Sequence, residues 1–325
     1  MYKFRIFTSA FFLLLIFFIT FMLFYLQILI VGEGPLEDEI IVLVKTGSSL
    51  SDISEQLEDF GVIPSSNFFK LYTIAVNKDE HLKAGEYLFE PNQNMRSVLN
   101  KLVKNDILIR YITIPEGLTS FQVVKLINSA DGLKGIIDQE INEGTILPET
   151  YGYTWGERRK ELLVRMETAL EVFIKETWSL RKNNIPFSSI KEALILASII
   201  EKETAVDSER NLISAVFHNR LRKGMRLQSD PTVVYGIDSK GYLGRELTRS
   251  DLRKHTDFNT YKIKGFPPSP ICHAGKKSIK AALNPADIDY LYFVANGTGG
   301  HAFAKTLKAH NKNVTRWRKF EKNKK

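Results

Sequence analysis

Glu201 and Glu203 close a run that is otherwise apolar, Ala193-Leu194-Ile195-Leu196-Ala197-Ser198-Ile199-Ile200. A carboxyl walled by low-dielectric side chains pays for its charge, so its pKa rises. A Glu in that state keeps its proton near neutral pH and can act as a general acid. Glycosidic-bond cleavage needs such a group, because the leaving oxygen must take a proton. The plainer reading is that both glutamates frame a helix end and meet solvent or Lys202. Periodicity does not choose between them. Glu201 shares a face with Leu194, Ala197 and Ser198, and Glu203 shares one with Leu196, Ile199 and Ile200. Two positions on a helix are ~200° apart, so at most one of the pair points into a given cleft.

The chain after this run is dense in side chains that grip sugars: Asn219, Gln228, Asp230, Tyr235, Asn259, Tyr261, His301 and Phe303. Hydroxyl and acetamido groups want donors and acceptors, and sugar faces want aromatic rings. Taken singly, each has an ordinary structural reading. Asp230 before Pro231 is a complete helix start, with Asp as cap and Pro in the first turn. His301 after Gly299-Gly300 reads as a loop histidine. Other chemistries are missing: there is no H-E-x-x-H, G-x-S-x-G, Walker-type loop or G-x-G-x-x-G. The six histidines are scattered, so no metal site and no cofactor is indicated. The single cysteine, Cys272, excludes a disulfide framework, a Cys-based zinc site and an iron–sulfur cluster.

The elements that must position these residues can be read from patterning. With 325 residues the chain has room for two domains. The net charge of +8 is confined to its ends. Lys3 and Arg5 lie at the start, and the tail from Lys305 to Lys325 carries nine basic residues against Glu321, so no basic nucleic-acid-binding domain is implied. Ile6 to Gly32 is 27 residues without a charge. As a helix it reaches ~40 Å, enough to cross a ~30 Å hydrocarbon core and longer than a signal peptide's apolar region. Lys3 and Arg5 before it, and Glu33, Glu37, Asp38 and Glu39 after it, place the amino terminus in the cytoplasm and the rest outside. The expected organisation is a cytoplasmic start (1–9), a transmembrane helix (10–31), a small module (32–105), a connector (106–149) and a larger domain with a basic tail (150–325).

Within the small module, Ile40–Val44 and Ala84–Phe89 read as strands. Helices are expected around Leu50–Phe60, near Phe68–Tyr72 and over Met95–Val103. This strand–helix–helix–strand order resembles a LysM-like carbohydrate-binding module. Ile107–Ile114 is a further strand candidate, and Thr119 or Ser120 can cap the next helix. In the larger domain, helices are expected over Arg159–Arg181, from Ser188 or Ser189 to Glu203, and from Ser208 to Gly224, with a strand over Tyr290–Ala295. The fold class is α+β throughout.

The string Ala197-Ser198-Ile199-Ile200-Glu201-Lys202-Glu203-Thr204 is followed by Val216-Phe217-His218-Asn219-Arg220-Leu221. Then come Gly224-Met225-Arg226-Leu227-Gln228-Ser229-Asp230-Pro231-Thr232 and Tyr235-Gly236. Further on are Asn259-Thr260-Tyr261, Gly265-Phe266-Pro267-Pro268-Ser269-Pro270-Ile271, Ala281-Ala282-Leu283-Asn284-Pro285 and Tyr290-Leu291-Tyr292-Phe293-Val294. Over roughly residues 40–315 the chain resembles the YceG-like family, the endolytic murein transglycosylases of bacteria. The resemblance implies an enzyme anchored in the inner membrane, with its catalytic domain in the periplasm, that cuts nascent peptidoglycan strands. It implies that Glu203 is the catalytic residue, cleaving between N-acetylmuramic acid and N-acetylglucosamine and leaving 1,6-anhydro ends. It implies peptidoglycan strands, the inner membrane and cell-wall synthases as partners, and no nucleic acid. The segment Pro270-Ile271-Cys272-His273-Ala274-Gly275 departs from the family, which more often has proline before that glycine. Leu147-Pro148-Glu149-Thr150-Tyr151 carries Glu where Asp is common. The competing readings are a non-catalytic peptidoglycan-binding scaffold and a hydrolase that makes reducing ends.

Overall fold

A computed structural model describes residues 2–324, in two compact units: one of residues 2–110 and 154–156, the other of residues 111–153 and 157–324. The first unit opens with helix α1 (Tyr2–Val31). Its stretch Phe11–Val31 is long and apolar enough to cross a membrane, and none of it is buried in the protein. Strands β1 (Ile40–Val44) and β2 (Gly85–Phe89) pair antiparallel, with Ile40 opposite Phe89 and Val44 opposite Gly85. Helices α2 (Leu50–Asp59) and α3 (Ser66–Ala75) connect them, and α4 (Met95–Lys104) follows. The observed order is therefore strand, helix, helix, strand, helix, as patterning predicts. Ser49 caps α2 in a reciprocal capping box with Asp52, and Asn94 caps α4. One face of each element closes on a core that includes Val42, Leu57, Phe69, Tyr87, Phe89 and Leu102.

In the second unit, β3 (Arg110–Thr113), which begins at the boundary between the units, pairs with β4 (Thr150–Tyr153) in a two-stranded sheet. Helix α5 (Ser120–Asn128) starts at Thr119, whose side chain and that of Gln122 cap each other's backbone N–H. The residues expected to form a connector pack as core instead: Ile114, Val123, Ile127 and Ile146 are buried. They meet Leu162, Leu163 and Met166 of α6 (Arg159–Ser179). The Arg159 guanidinium adds a polar clasp, donating to the carbonyls of Ile127 (2.9 Å) and Ala130 (2.7 Å) at the end of α5.

Helix α7 (Ile190–Glu203) is the axis of the larger core. Ser189 and Glu192 form its capping box. A helix apolar on every face must be covered on every face. Here α8 (Arg210–Arg222) and α10 (Lys276–Leu283) cover α7, and α9 (Asp230–Ile237) reaches its end. Residues Ile195 to Ile200 are all buried. The expected start at Ser208 is a short 3-10 turn, Asp207–Glu209, that feeds α8. Strands β5 (Tyr292–Ala295) and β6 (His301–Ala304) form a hairpin, and α11 (Leu307–Lys324) carries the basic tail.

Candidate active site

Glu203 is the last residue of α7. The chain turns extended at Thr204, so the carboxyl leaves the end of a buried helix rather than its side. It keeps part of its surface at a groove of about 410 Å³, lined also by Glu116, Gly117, Glu201, Lys202, Thr204 and Arg210. Behind the groove the Ser229 hydroxyl donates to Glu203 Oε1 at 2.5 Å. Ser229 is buried and is fixed in turn: its N–H donates to Thr260 Oγ1 (2.9 Å), and its carbonyl accepts from Thr232 Oγ1 (2.6 Å).

The turn that presents Ser229 is shaped by Gln228, which adopts a left-handed φ of 51° and donates its N–H to the Thr260 carbonyl (3.2 Å). Asn259 holds the opposing loop. Its side-chain amide donates to the carbonyls of Leu252 (3.2 Å) and Lys254 (2.6 Å), while its Oδ1 accepts from Tyr261 N–H (2.9 Å). The Tyr261 hydroxyl donates to Asp230 Oδ1 at 2.6 Å. Asp230 was expected to cap α9. It is instead the first residue of that helix, Ser229 stands at the cap position without a side-chain cap bond, and the Asp230 carboxylate accepts from Tyr261. Pro231 still takes the first turn, as expected.

Burial raises the Glu203 carboxyl to about 7. The Ser229 hydrogen bond opposes the rise, the negative charge of Asp230 adds to it, and the Arg220 guanidinium opposes it again. Arg220 is itself buried, with its N–H groups on the carbonyls of Leu291 (2.8 Å) and Leu227 (2.5 Å) and its plane 5.6 Å from the Tyr292 ring centroid. The Tyr261 phenol is pushed up by burial and by its bond to Asp230, so it stays a neutral donor. The result places in Glu203 a carboxylic acid able to give and take a proton near neutral pH at the edge of an open groove.

Glu201 lines the same groove, where the helical spacing allowed only one of the pair, but its carboxylate is tied down. One of its oxygens pairs with Arg210 (3.3 Å) and the other accepts Gly275 N–H (2.9 Å). Arg210 is nearly buried and also pairs with Asp207 and, at 4.0 Å, with Glu116. Glu201 thus ties the end of α7 to α8 and to the loop before α10. Burial, and next the charge of Glu201, raise the carboxyl of Glu116, which opens on the same groove as Glu203.

The structure groups Gln228, Asp230 and Tyr261 around the turn that holds Glu203, with Asn259 behind them as a loop brace. It sets four expected residues elsewhere. Asn219 donates to the carbonyls of Ile288 (2.8 Å) and Tyr290 (3.0 Å), joining α8 to the approach to β5. Tyr235 reaches Glu143 across a separate cavity. His301 is held by Glu209, through its ring Nδ1 (2.7 Å) and its backbone N–H (2.8 Å), beside a third cavity with Trp317. Phe303 packs against Tyr290 of the hairpin region, with centroids 5.8 Å apart. Patterning missed Ser229, Arg220 and Glu116. The signal for Ser229 was present, since it adjoins a residue already assigned as a cap.

Three comparisons bear on this geometry. The sequence pattern of the YceG-like family matches residues 42–316. An endolytic murein transglycosylase of Bacillus subtilis is 31% identical over 304 residues, which cover 83% of this chain and 82% of the relative. One of Streptococcus pneumoniae is 26% identical, covering 85% of this chain and 58% of its own length. The crystal structure of a YceG-like protein from Listeria monocytogenes aligns with a TM-score of 0.51 at 32% identity, covering 85% of this chain and 99% of that one. With the family pattern spanning most of its length, this chain belongs to the YceG-like family.

Proposed function

We propose that this chain is an endolytic murein transglycosylase in which Glu203 acts in turn as acid and base. The supporting observation is a carboxyl held near its proton-exchange point by burial, at the edge of a groove, on a hydroxyl that is itself locked in place. The protonated Glu203 gives its proton to the bridging oxygen as the bond from muramic C1 breaks. The resulting carboxylate then accepts the proton of the muramic C6 hydroxyl, whose oxygen bonds to C1. The chain ends in a 1,6-anhydro ring, Glu203 is again protonated, and no water is consumed. One carboxyl suffices because the nucleophile is part of the substrate, whereas a glycoside hydrolase ordinarily uses two.

Ser229 fits both halves of the cycle. Its hydroxyl donates to the carboxylate after proton transfer, while burial and Asp230 keep the resting acid protonated. In this reading α1 anchors the chain in the inner membrane, with Lys3 and Arg5 on the cytoplasmic side and the groove in the periplasm. The small first unit is a LysM-like module that holds the strand, and cell-wall synthases deliver it. Digestion of purified glycan strands by the wild type and by Glu203→Gln tests the proposal. Cleavage by the wild type and none by the variant, with both folded, supports it. Equal cleavage rejects it, and retention of strands without any cleavage favours the scaffold reading.

A further inference from the structure

The groove at Glu203 holds a further carboxyl, Glu116, to which the proposed reaction gives no task. Most side-chain acceptors on the groove are already answered. Both oxygens of Glu201 are taken, by Arg210 (3.3 Å) and by Gly275 N–H (2.9 Å), and Thr204 Oγ1 accepts Val206 N–H (3.0 Å). Among the described residues, no donor reaches Glu203 Oε2, the oxygen left free to exchange a proton, and none reaches either oxygen of Glu116. The Glu116 side chain is 40% exposed, and its ion-pair partner Arg210 stands 4.0 Å away, beyond hydrogen-bond reach. Arg210 is also committed elsewhere, to Glu201, to Asp207 and to Ser278 Oγ (3.1 Å). Lys202, the other cation on the groove, donates to the Gly117 carbonyl (3.2 Å).

The turn that carries Glu116 is bolted in place. Gly117 adopts a left-handed φ of 78° and donates its N–H to the His273 carbonyl (2.8 Å), while its own carbonyl takes the Lys202 bond. His273 N–H in turn donates to the Leu118 carbonyl (2.9 Å). The carboxyl itself lies on Gly275, where a Cβ would collide with Glu116 Oε1. Gly275 thus seats Glu116 by having no side chain. The groove presents one proton-exchanging oxygen and, held beside it, one acceptor without a donor.

A glycan strand brings the matching groups. Every ring of a murein strand carries an acetamido N–H, which donates and cannot accept, besides its hydroxyls. A donor that leaves water for the groove must find an acceptor there or lose free energy. We propose that Glu116 is a strand-binding residue, accepting a hydrogen bond from a sugar N–H or O–H and so holding the strand beside Glu203. This rests on the reading of the chain as a murein transglycosylase and deepens it, by assigning strand affinity to a residue separate from the acid.

The test is steady-state cleavage of defined glycan strands by the full chain in detergent micelles, with kcat and KM measured separately. Glu116→Ala should raise KM about tenfold, the scale of one hydrogen bond to a carboxylate, with kcat nearly unchanged. Glu116→Gln keeps a carbonyl oxygen on the same stem and should recover most of that loss. Gly275→Ala crowds the carboxyl off its seat and should raise KM as well; residue 275 has an ordinary φ of −75°, so alanine brings no backbone strain. A plain brace between α7 and the loop before α10 would behave otherwise, its loss lowering the folded fraction and the melting temperature at unchanged KM. Strands stripped of their stem peptides should show the same rise as intact ones, because the donor is on the sugar. An unchanged KM in Glu116→Ala, a fall in kcat alone, or a rise that needs the peptides would each overturn the proposal. If the wild type cleaves and KM does not respond to Glu116→Ala, only this inference fails; if the wild type cleaves nothing, the reading beneath it fails first.

Discussion

The Glu203 carboxyl titrates near neutrality because burial and the charge of Asp230 outweigh the Ser229 hydroxyl and the Arg220 guanidinium. In the proposed reaction the acid form gives its proton first, so the rate should fall as pH rises through about 7. Ser229→Ala removes a bond that favours the carboxylate and should move this limb upward in pH, which a pH–rate profile would reveal. The folded-state value lies above the ordinary 4.5, so folding favours the protonated group. Stability from this residue is therefore greatest below about 4.5 and declines as pH rises toward about 7. Glu203→Gln should consequently melt higher than wild type at pH 8 while losing activity, as paired thermal-denaturation and cleavage assays would record. Glu201→Gln should behave oppositely. It breaks a buried ion pair that Asp207 partly backs up, so it should destabilise the fold by about 1–3 kcal/mol. Activity per folded molecule should be largely kept, as denaturant melts alongside rate measurements would register. Spacing could not separate the two glutamates. What distinguishes them is what stands opposite: Arg210 and Gly275 for one, Ser229 for the other, and all three come from beyond the end of α7.

Helices were the legible elements. The capping residues Thr119 and Ser189 stand where patterning allowed them, and the apolar run of α7 is almost wholly buried, as its composition demands. These signals are local, so a single strand of sequence carries them. The function of Asp230 was not legible, because its bond to Tyr261 spans 31 residues and depends on how two loops meet. The same limit applies to residues 106–149. Read as a connector, they supply Ile114, Val123, Ile127 and Ile146 to a core whose other half comes from α6. Asn259 belongs to this scale: it shapes the loop that locks Ser229 through Thr260. Asn259→Ala leaves two carbonyls without their donor and should cost about 1–3 kcal/mol. It should also weaken catalysis by loosening Ser229, which appears as a lower kcat in the fraction that remains folded.

At the scale of the chain, α1 stands apart: its apolar side chains from Phe11 to Phe24 are largely exposed, whereas helices α2 to α10 each contribute to a core. A chain lacking residues 1–32 should be soluble and keep its cleavage activity, while the full chain should sediment with membranes, a difference that fractionation resolves. The two units carry separate cores, and Glu203, its turn and its groove all lie within the second. The charge arithmetic identified the basic ends but not the cavity around Glu143, which Asp138, Glu140 and Lys240 also line, because that cavity forms only when α5, α9 and the intervening loop fold together. Glu203 is assigned as an acid that recovers its proton from the substrate's own hydroxyl, and that claim has one direct readout: the mass of the new glycan ends after digestion of defined strands. The account predicts ends one water lighter than reducing sugars, and none of them with Glu203→Gln. Reducing ends from the wild-type chain, or anhydro ends from the variant, would contradict it.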